Sequence, residues 1–218
     1  MMIRHTILHV SERTEIKMKK VFTTKNLVLM AMFSALAAVL MLWEFPIPFI
    51  APNFYEIDLS EIPILVGSFI MGPVSGVIME AIKIILKLLI KGTSTAYVGD
   101  FANFCVGVCL VVPASIIYQK HKTKKNAFIG MLVGTLFMAV AGVVLNYFIM
   151  IPFYVKAFGM PLEAIIGAGA KIQPLVTNKL SFTIVCVAPF NIVKGIIVSL
   201  VTALIYKHIS AFVKTIKL

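Results

Sequence analysis

Long apolar runs separated by short polar breaks are the feature that most limits how this chain can fold. They recur along the 218 residues, and a helix that crosses a bilayer needs about 20 apolar residues. Hydrophobic residues make up 60% of the chain and charged residues only 13%, whereas a soluble domain carries about 25% charged residues. Because too few charges remain to cover a water-facing surface, the sequence predicts an all-α integral membrane protein.

Six transmembrane helices are predicted from these runs and their breaks. One continuous helix over 61–90 would be about 45 Å long and would exceed the hydrocarbon core of about 30 Å. We therefore divide it at Gly72-Pro73. Residues 151–180 are expected to form a long connection, in which a short interfacial helix is one alternative. The predicted spans are residues 27–43, 61–71, 74–90, 97–118, 127–150 and 182–206.

The distribution of cations predicts the orientation. Lysines bracket the apolar runs instead of covering a face with interleaved aromatic residues, so the net charge of +11 does not indicate nucleic-acid binding. They concentrate before the first span, after the fourth and behind the sixth, and such segments face the cytoplasm. Six spans with both termini cytoplasmic satisfy this pattern. We expect residues 1–22 to be a flexible cytoplasmic tail and residues 23–218 to form the membrane domain.

An outer lid loop is predicted at about 44–60. Three prolines within it exclude a continuous helix, and its carboxylates occur without a cation, which suits the outer face. The loop is also rich in apolar and aromatic residues. We expect Tyr55 and Leu59 to cover an apolar ligand ring.

Polar groups in the sixth predicted span indicate a binding site. Ionisable side chains inside a membrane are costly and usually face the bundle interior or a cavity. Asn191 and Lys194 point the same way, close to Pro189, which interrupts the backbone hydrogen-bond ladder. Lys194 either holds a polar ligand or forms a structural ion pair with Glu80 or Asp100.

The third and fourth spans add further candidates. Glu80, Lys83 and Lys87 lie at helical spacing on one side of the third span, where they either contact a ligand or pair internally, with Glu80 neutralising a lysine. Asp100 and Asn103 share one face at the start of the fourth span. Asp100 either contacts the ligand or caps its own helix, since a carboxylate is favoured at a helix N-terminus.

The fifth span carries Asn146-Tyr147 near its outer end. Asn146 either bonds a neighbouring helix or contacts a ligand. Together with the groups above, it predicts an apolar cavity with a few placed polar groups in the outer half of the bundle, which is the usual form of a small-molecule site. Asparagine both donates and accepts hydrogen bonds, which suits a heteroaromatic ring edged with carbonyls and nitrogens.

Catalytic and metal-binding patterns are missing from the sequence. It has no phosphate-binding loop, no His-Glu-x-x-His motif and no Gly-x-Ser-x-Gly elbow. All four histidines fall in the tails or the basic loop, and the three cysteines sit inside apolar runs. We predict that the chain is not an enzyme and holds no metal.

The first predicted span carries a small-residue stripe. Ala31 and Ala35 lie one helical turn apart, with Ser34 and Ala38 nearby. Such stripes allow another helix to approach closely. The stripe either packs within the chain or docks a partner helix.

Four segments together resemble the riboflavin-specific S component, the substrate-binding subunit of energy-coupling-factor (ECF) transporters. The most specific is Pro-Phe-Asn-x-x-Lys-Gly at 189–195, and the resemblance covers roughly residues 25–210. The other segments are Gly-Pro-x-x-Gly at 72–76, Gly-Asp-Phe-Ala-Asn-Phe-Cys-Val-Gly at 99–107, and Asn-Tyr at 146–147.

The resemblance implies a high-affinity subunit of the bacterial cell membrane that binds riboflavin from outside under a lid. It implies partners: a transmembrane coupling subunit and two cytoplasmic ATPase subunits. Ala31 and Ala35 match the family's docking motif, and Asn191 and Lys194 match positions near the flavin. No cofactor is expected besides riboflavin as the transported ligand. The alternatives are an S component for biotin, thiamine or folate, a stand-alone membrane carrier, and an intramembrane enzyme.

Overall fold

The computed structural model describes the backbone of residues 21–216 and the side chains of residues 21–205. Most of this part is helical. The predicted tail at residues 1–22 lies almost wholly outside the described residues. The helices are α1 (Thr24–Met41), α2 (Glu61–Met71), α3 (Pro73–Lys91), α4 (Val98–Lys120), α5 (Lys124–Leu145), α6 (Ile151–Ala157), α7 (Leu162–Ala170), α8 (Lys179–Phe182) and α9 (Ala188–Ile216).

Four helical stretches in the described part are long and apolar enough to cross a membrane. Helix α2 is apolar but has only 11 residues, and α3 carries several charged residues along its 19. The predicted all-α membrane protein is therefore confirmed as a mostly helical one with apolar helices of membrane-spanning length, while the number of six spans stays a prediction. The four stretches are Thr24–Met41, Val98–Lys120, Lys124–Ala157 and Lys179–Ile205.

The break between α2 and α3 falls at the predicted position. Gly72 has a φ of 100°, a left-handed conformation that side chains with a Cβ rarely adopt. Pro73 follows as the first residue of α3, where its missing N–H costs nothing because that donor has no partner in a helix. The local chemistry of two residues therefore divides one apolar run into two helices.

Helix α2 runs through the middle of the bundle. Every residue from Glu61 to Ile70 is buried, and α1, α3, α4 and α9 surround the helix. The main core forms around it, with Phe69, Met79 and Leu110 among its members. Because this helix has no face toward solvent or lipid, the charge at its first residue needs a partner inside the protein.

The expected long connection at 151–180 is wrong in its first part. A π-helical turn at Asn146–Met150 joins α5 to α6, so helix continues to Ala157. A second π-helical turn at Thr183–Val187 joins α8 to α9. Each turn ends two residues before a proline, Pro152 or Pro189. A widened turn relieves the clash between a proline ring and the preceding turn, so neither proline ends its helix.

A second apolar cluster lies on the side of the bundle that carries the loop at 44–60. The loop forms a short antiparallel pair of strands, β1 (Phe45–Pro46) and β2 (Glu56–Ile57). Ala51 and Ile57 are fully buried against this cluster, which also contains Phe182 and Phe190. The segment predicted as a lid is therefore a packed element of the fold.

Candidate functional site

A cavity of about 370 Å³ lies between the loop at 44–60, the α3–α4 connection and helices α4, α6 and α9. This is within the range of small-molecule sites. Apolar walls come from residues such as Met41, Phe54, Val106 and Phe190. The polar lining consists of Glu44, Tyr55, Glu56, Lys87, Lys91, Thr93, Ser94, Thr95, Asp100, Asn103, Asn146, Tyr154, Asn191 and Lys194.

Most of the site residues predicted from the sequence meet at this cavity. They come from the loop, from α4, from the first π-helical turn and from α9, which are far apart in the chain. The predicted residues that line the cavity are Tyr55, Asp100, Asn103, Asn146, Asn191 and Lys194.

Four other predicted residues lie outside the lining. Leu59 packs against the main core. The ring of Tyr147 lies against Phe148 and beneath the ammonium of Lys179, which is 3.9 Å from the ring centroid. The remaining two, Glu80 and Lys83, are completely buried in a group of charges.

This group, the inner charge cluster, consists of Glu61, Glu80 and Lys83. The Lys83 ammonium lies 2.9 Å from the Glu61 carboxylate and 2.7 Å from that of Glu80. All three side chains are at most 1% exposed. A Cβ at Gly107 would come within 2.9 Å of the Glu80 carboxylate, so glycine lets α4 approach closely. Internal pairing, one of the two interpretations of Glu80 and Lys83, is therefore present.

Lys194 pairs with Asp58, at 2.8 Å, so an ion pair is present, but the partners named in that alternative, Glu80 and Asp100, are wrong. Asp58 also accepts a hydrogen bond from the Ser60 backbone N–H, at 2.8 Å, immediately before α2. Burial opposes ionisation of Asp58, but the charges of Lys194 and Lys83 and the hydrogen bonds outweigh it and hold the pKa below its usual range. The loop therefore supplies an ionised carboxylate to a lysine that lines the cavity.

Asp100 pairs with Lys87, at 2.5 Å, and accepts a hydrogen bond from the Thr93 hydroxyl, at 2.7 Å. Because Asp100 sits in the first turn of α4, it also complements the positive helix end. Lys87 lies one helical turn beyond Lys83. We name the ion pairs Lys87–Asp100 and Lys194–Asp58 the cavity pairs.

Two asparagines face the cavity with hydrogen-bonding groups to spare. Asn146 accepts from the Tyr55 hydroxyl at 2.6 Å and donates to the Gly142 carbonyl at 2.8 Å. Asn191 donates to the Val187 carbonyl at 2.9 Å. Among the described residues nothing else bonds the Asn191 amide, so one N–H and its carbonyl oxygen are left for a ligand. Asn191 also packs against Gly142, where a Cβ would lie 2.4 Å from its nitrogen.

Sequence reasoning missed several lining residues. Tyr154 fell in the segment expected to be a connection, and Thr93 and Thr95 lie in a short loop without a motif. Lys87 was not missed in the same way, since the sequence places it in one row with Glu80 and Lys83 at helical spacing, with ligand contact as one interpretation. The structure brings Lys87 and the three missed residues, Thr93, Thr95 and Tyr154, to the cavity wall.

A second cavity of about 470 Å³ adjoins the first. Seven residues border both, among them Tyr55, Asn146 and Tyr154. The other walls of the second cavity are apolar and include Ile151 and Phe158. The site is therefore two-lobed, and its polar groups concentrate in the first lobe.

The small-residue stripe of α1 divides between two faces. Ser34 and Ala38 are buried in the bundle, whereas Ala31 and Ala35 are exposed. Large apolar residues such as Met32 and Leu36 are exposed beside them. Within the described residues Ala31 and Ala35 are not packing positions, so this face of α1 is open to lipid or a partner.

The described residues contain no group of histidine, cysteine or acidic side chains suited to a metal.

Comparison with known proteins matches residues 25–206 to the family described as ECF transporter, substrate-specific component. The chain is 34% identical to "Riboflavin transporter RibU" of Staphylococcus aureus (strain TCH60), over 88% of this chain and 94% of that protein. It is 31% identical to "Riboflavin transporter FmnP" of Bacillus subtilis (strain 168), over 87% and 94%.

A solved structure has a similar fold. It was described under "Structure and mechanism of the S component of a bacterial ECF transporter" and superposes with a TM-score of 0.67 at 33% sequence identity. The match covers 87% of this chain and 98% of that chain. The similarity therefore extends over nearly the whole described region.

Proposed function

The chain belongs to the substrate-specific components of ECF transporters, and from that premise we propose that it is the riboflavin-binding subunit of a vitamin uptake system. The observation that carries the proposal is identity of 31–34% with riboflavin transporters along most of the chain. A cavity with apolar walls and two available amides matches this ligand chemically. Members of this family are transport components, so the chain is not an enzyme.

The binding mode follows from the separation of polar and apolar walls. Flat apolar and aromatic side chains such as Phe190 and Phe54 suit the dimethylbenzene end of the flavin. Asn191, Asn146 and Lys194 would bond the polar ring edge. The ribityl hydroxyls would reach Asp100 at the start of α4 and the neighbouring loop.

Placement in the membrane completes the proposal. We propose six spans with both termini cytoplasmic in the bacterial cell membrane, in which α2 and α3 are the two spans that are short or charged. The loop at 44–60 then covers the site from outside. This chain supplies affinity and selectivity, and a coupling module with a transmembrane subunit and two cytoplasmic ATPases supplies the energy.

The exposed face of α1 is the proposed docking surface for the coupling subunit. Small residues at 31 and 35 leave room for a close helix–helix contact. Replacing Ala31 and Ala35 with tryptophan should abolish co-purification with the coupling subunit and leave riboflavin binding in place. Val140→Trp, on an exposed face of α5, is the matched control. Retained co-purification in the double variant would contradict this docking surface.

The first test of ligand identity is the absorbance spectrum of the detergent-purified protein. We expect a flavin spectrum, and release of riboflavin on denaturation. Titration of ligand-free protein should quench riboflavin fluorescence at a stoichiometry of about one, as a single enclosed site requires. A colourless protein that fails to quench riboflavin would overturn the assignment. Competition by biotin, thiamine and folate separates the remaining vitamins.

A further inference from the structure

Three buried carboxyl groups and two buried ammonium groups form one charged region inside the bundle. The charges of Lys83 and Lys194 both act on Asp58, so the Lys194–Asp58 pair and the inner charge cluster are neighbours. All five side chains are at most 6% exposed. If every group were ionised, the region would carry one net negative charge. The five groups are Asp58, Glu61, Glu80, Lys83 and Lys194.

An excess charge in this region would have nothing to balance it. The next lysine along α3, Lys87, is already paired with Asp100. Glu61 and Glu80 belong to neither cavity lining and are at most 1% exposed, so solvent does not screen them. An uncompensated ion in such a place costs so much free energy that the group takes up a proton instead. One of the buried carboxyl groups is therefore the candidate for a bound proton.

The Glu80 carboxyl group is completely buried, and neither of its oxygens accepts a hydrogen bond from another described residue. The Lys83 ammonium lies 2.7 Å away, but it donates its hydrogen bonds to Glu61, at 2.9 Å, and Asn103, at 3.4 Å. The second oxygen of Glu61 is unbonded as well. The Glu61 and Glu80 side chains nevertheless lie within hydrogen-bonding reach of each other. Two ionised carboxylates cannot use that contact, because neither has a proton to donate.

Glu61 is the better of the two places for the negative charge. It is the first residue of α2, where the helix dipole favours an anion, and it accepts the hydrogen bond from Lys83. Glu80 lies in the middle of α3, away from both helix ends. The backbone of α4 at Gly107 closes one side of its carboxyl group, where a metal ion would need space for several oxygen ligands. A proton needs no such space.

We propose that the inner charge cluster binds one proton, so that Glu80 is a neutral acid and donates a hydrogen bond to the ionised carboxylate of Glu61. The proton balances the charged region and gives a partner to oxygens that otherwise have none. Because Lys83 also donates to Asn103, which lines the cavity, the proton site is linked to the ligand site through two side chains. The proposal holds whichever ligand the cavity takes.

Infrared spectroscopy of the full-length protein in detergent tests for this proton directly, because the C=O stretch of a neutral acid lies apart from the bands of a carboxylate. Near neutral pH we expect a neutral-acid band that shifts when the glutamates are isotopically labelled and that is lost in Glu80→Gln. The glutamine keeps an N–H to donate to Glu61, so this variant should fold. Glu163→Gln removes an exposed glutamate and should keep the band.

Glu61→Gln tests whether the charge balance holds the proton. It leaves two anions and two cations in the region, so Glu80 should ionise and the band should disappear although Glu80 is present. A band that persists in either variant, or its absence from the wild type, would overturn the proposal. Absence together with a melting temperature raised by sodium over a bulky organic cation would assign the balancing charge to a metal ion. If a variant fails to fold, the labelled wild type still decides whether a glutamate holds a proton.

Discussion

The inner charge cluster and the cavity pairs are both built from lysines and carboxylates, and they differ in what lies beside them. Lys83 is enclosed by Glu61 and Glu80 without exposed surface. One helical turn away, Lys87 pairs with Asp100 at the wall of an open cavity. An intramembrane charge is by default a candidate functional site. The comparison shows that the cavity, and not the charge, separates a fully enclosed ion pair from one that a ligand could reach.

The link between the two regions is Asn103. Its carbonyl oxygen accepts a hydrogen bond from Lys83 at 3.4 Å, and its side chain also lines the cavity. The inner charge cluster therefore supports the cavity wall without contributing to its lining. Substitutions in the inner charge cluster should mainly lower stability, whereas substitutions at the cavity should mainly weaken riboflavin binding.

The largest expected effect is the loss of stability in Lys83→Met. The substitution leaves two carboxylates buried without their cation, which typically costs about 3–5 kcal/mol. We expect a strongly lowered melting temperature in detergent, measured by thermal unfolding. Lys171→Met removes an exposed lysine and should melt like the wild type. Equal melting temperatures of Lys83→Met and Lys171→Met would contradict a structural role for the inner charge cluster.

A smaller stability effect and a larger binding effect are expected at Lys194. Lys194→Met alone leaves Asp58 buried and unpaired, so it should both destabilise and weaken binding. Adding Asp58→Asn removes that charge and should restore most of the melting temperature. Riboflavin affinity should stay roughly tenfold to a hundredfold reduced, the usual worth of a hydrogen bond to a charged group. Restored affinity in the double variant would show that Lys194 acts only through Asp58.

Gly142→Ala should weaken binding without removing any polar group. The new Cβ would lie 2.4 Å from the Asn191 side-chain nitrogen, so the amide must shift away from its place at the cavity. We expect affinity to fall roughly fivefold to tenfold, the scale of one hydrogen bond. In Gly167→Ala the added Cβ meets nothing within 4 Å, and titration should give wild-type affinity. Wild-type affinity in both variants would argue against Asn191 as a ligand contact.

The smallest effect is expected at the cavity mouth. The Lys91–Glu44 pair is partly exposed, with Lys91 47% accessible, and exposed ion pairs contribute about 0–1 kcal/mol. Lys91→Gln should therefore change the melting temperature by no more than a few degrees. A fall in melting temperature as large as that of Lys83→Met would show that the Lys91–Glu44 pair is as important for stability as the inner charge cluster.

Helix boundaries were predictable from the sequence wherever adjacent residues alone determine the backbone conformation. Gly72-Pro73 divides α2 from α3 because a left-handed glycine and a helix-initiating proline act on their own backbone. The same local reasoning gave a wrong prediction at Pro152, where a connection was expected because a proline usually ends a helix. The π-helical turn ahead of it accommodates the ring, and the apolar cluster that holds α6 in place is assembled from distant segments.

Composition and residue pattern by themselves determined a helical membrane protein, its helix break at Gly72-Pro73 and six of the side chains that line the cavity. The tertiary structure alone decided which charges face each other. Asp58 and Lys194 are 136 residues apart, and no periodicity links them. The sequence also could not place Glu80 and Lys83 inside the bundle and Lys87 at the cavity. Helical spacing fixes only which residues share a face, whereas the packing of neighbouring helices fixes what that face meets.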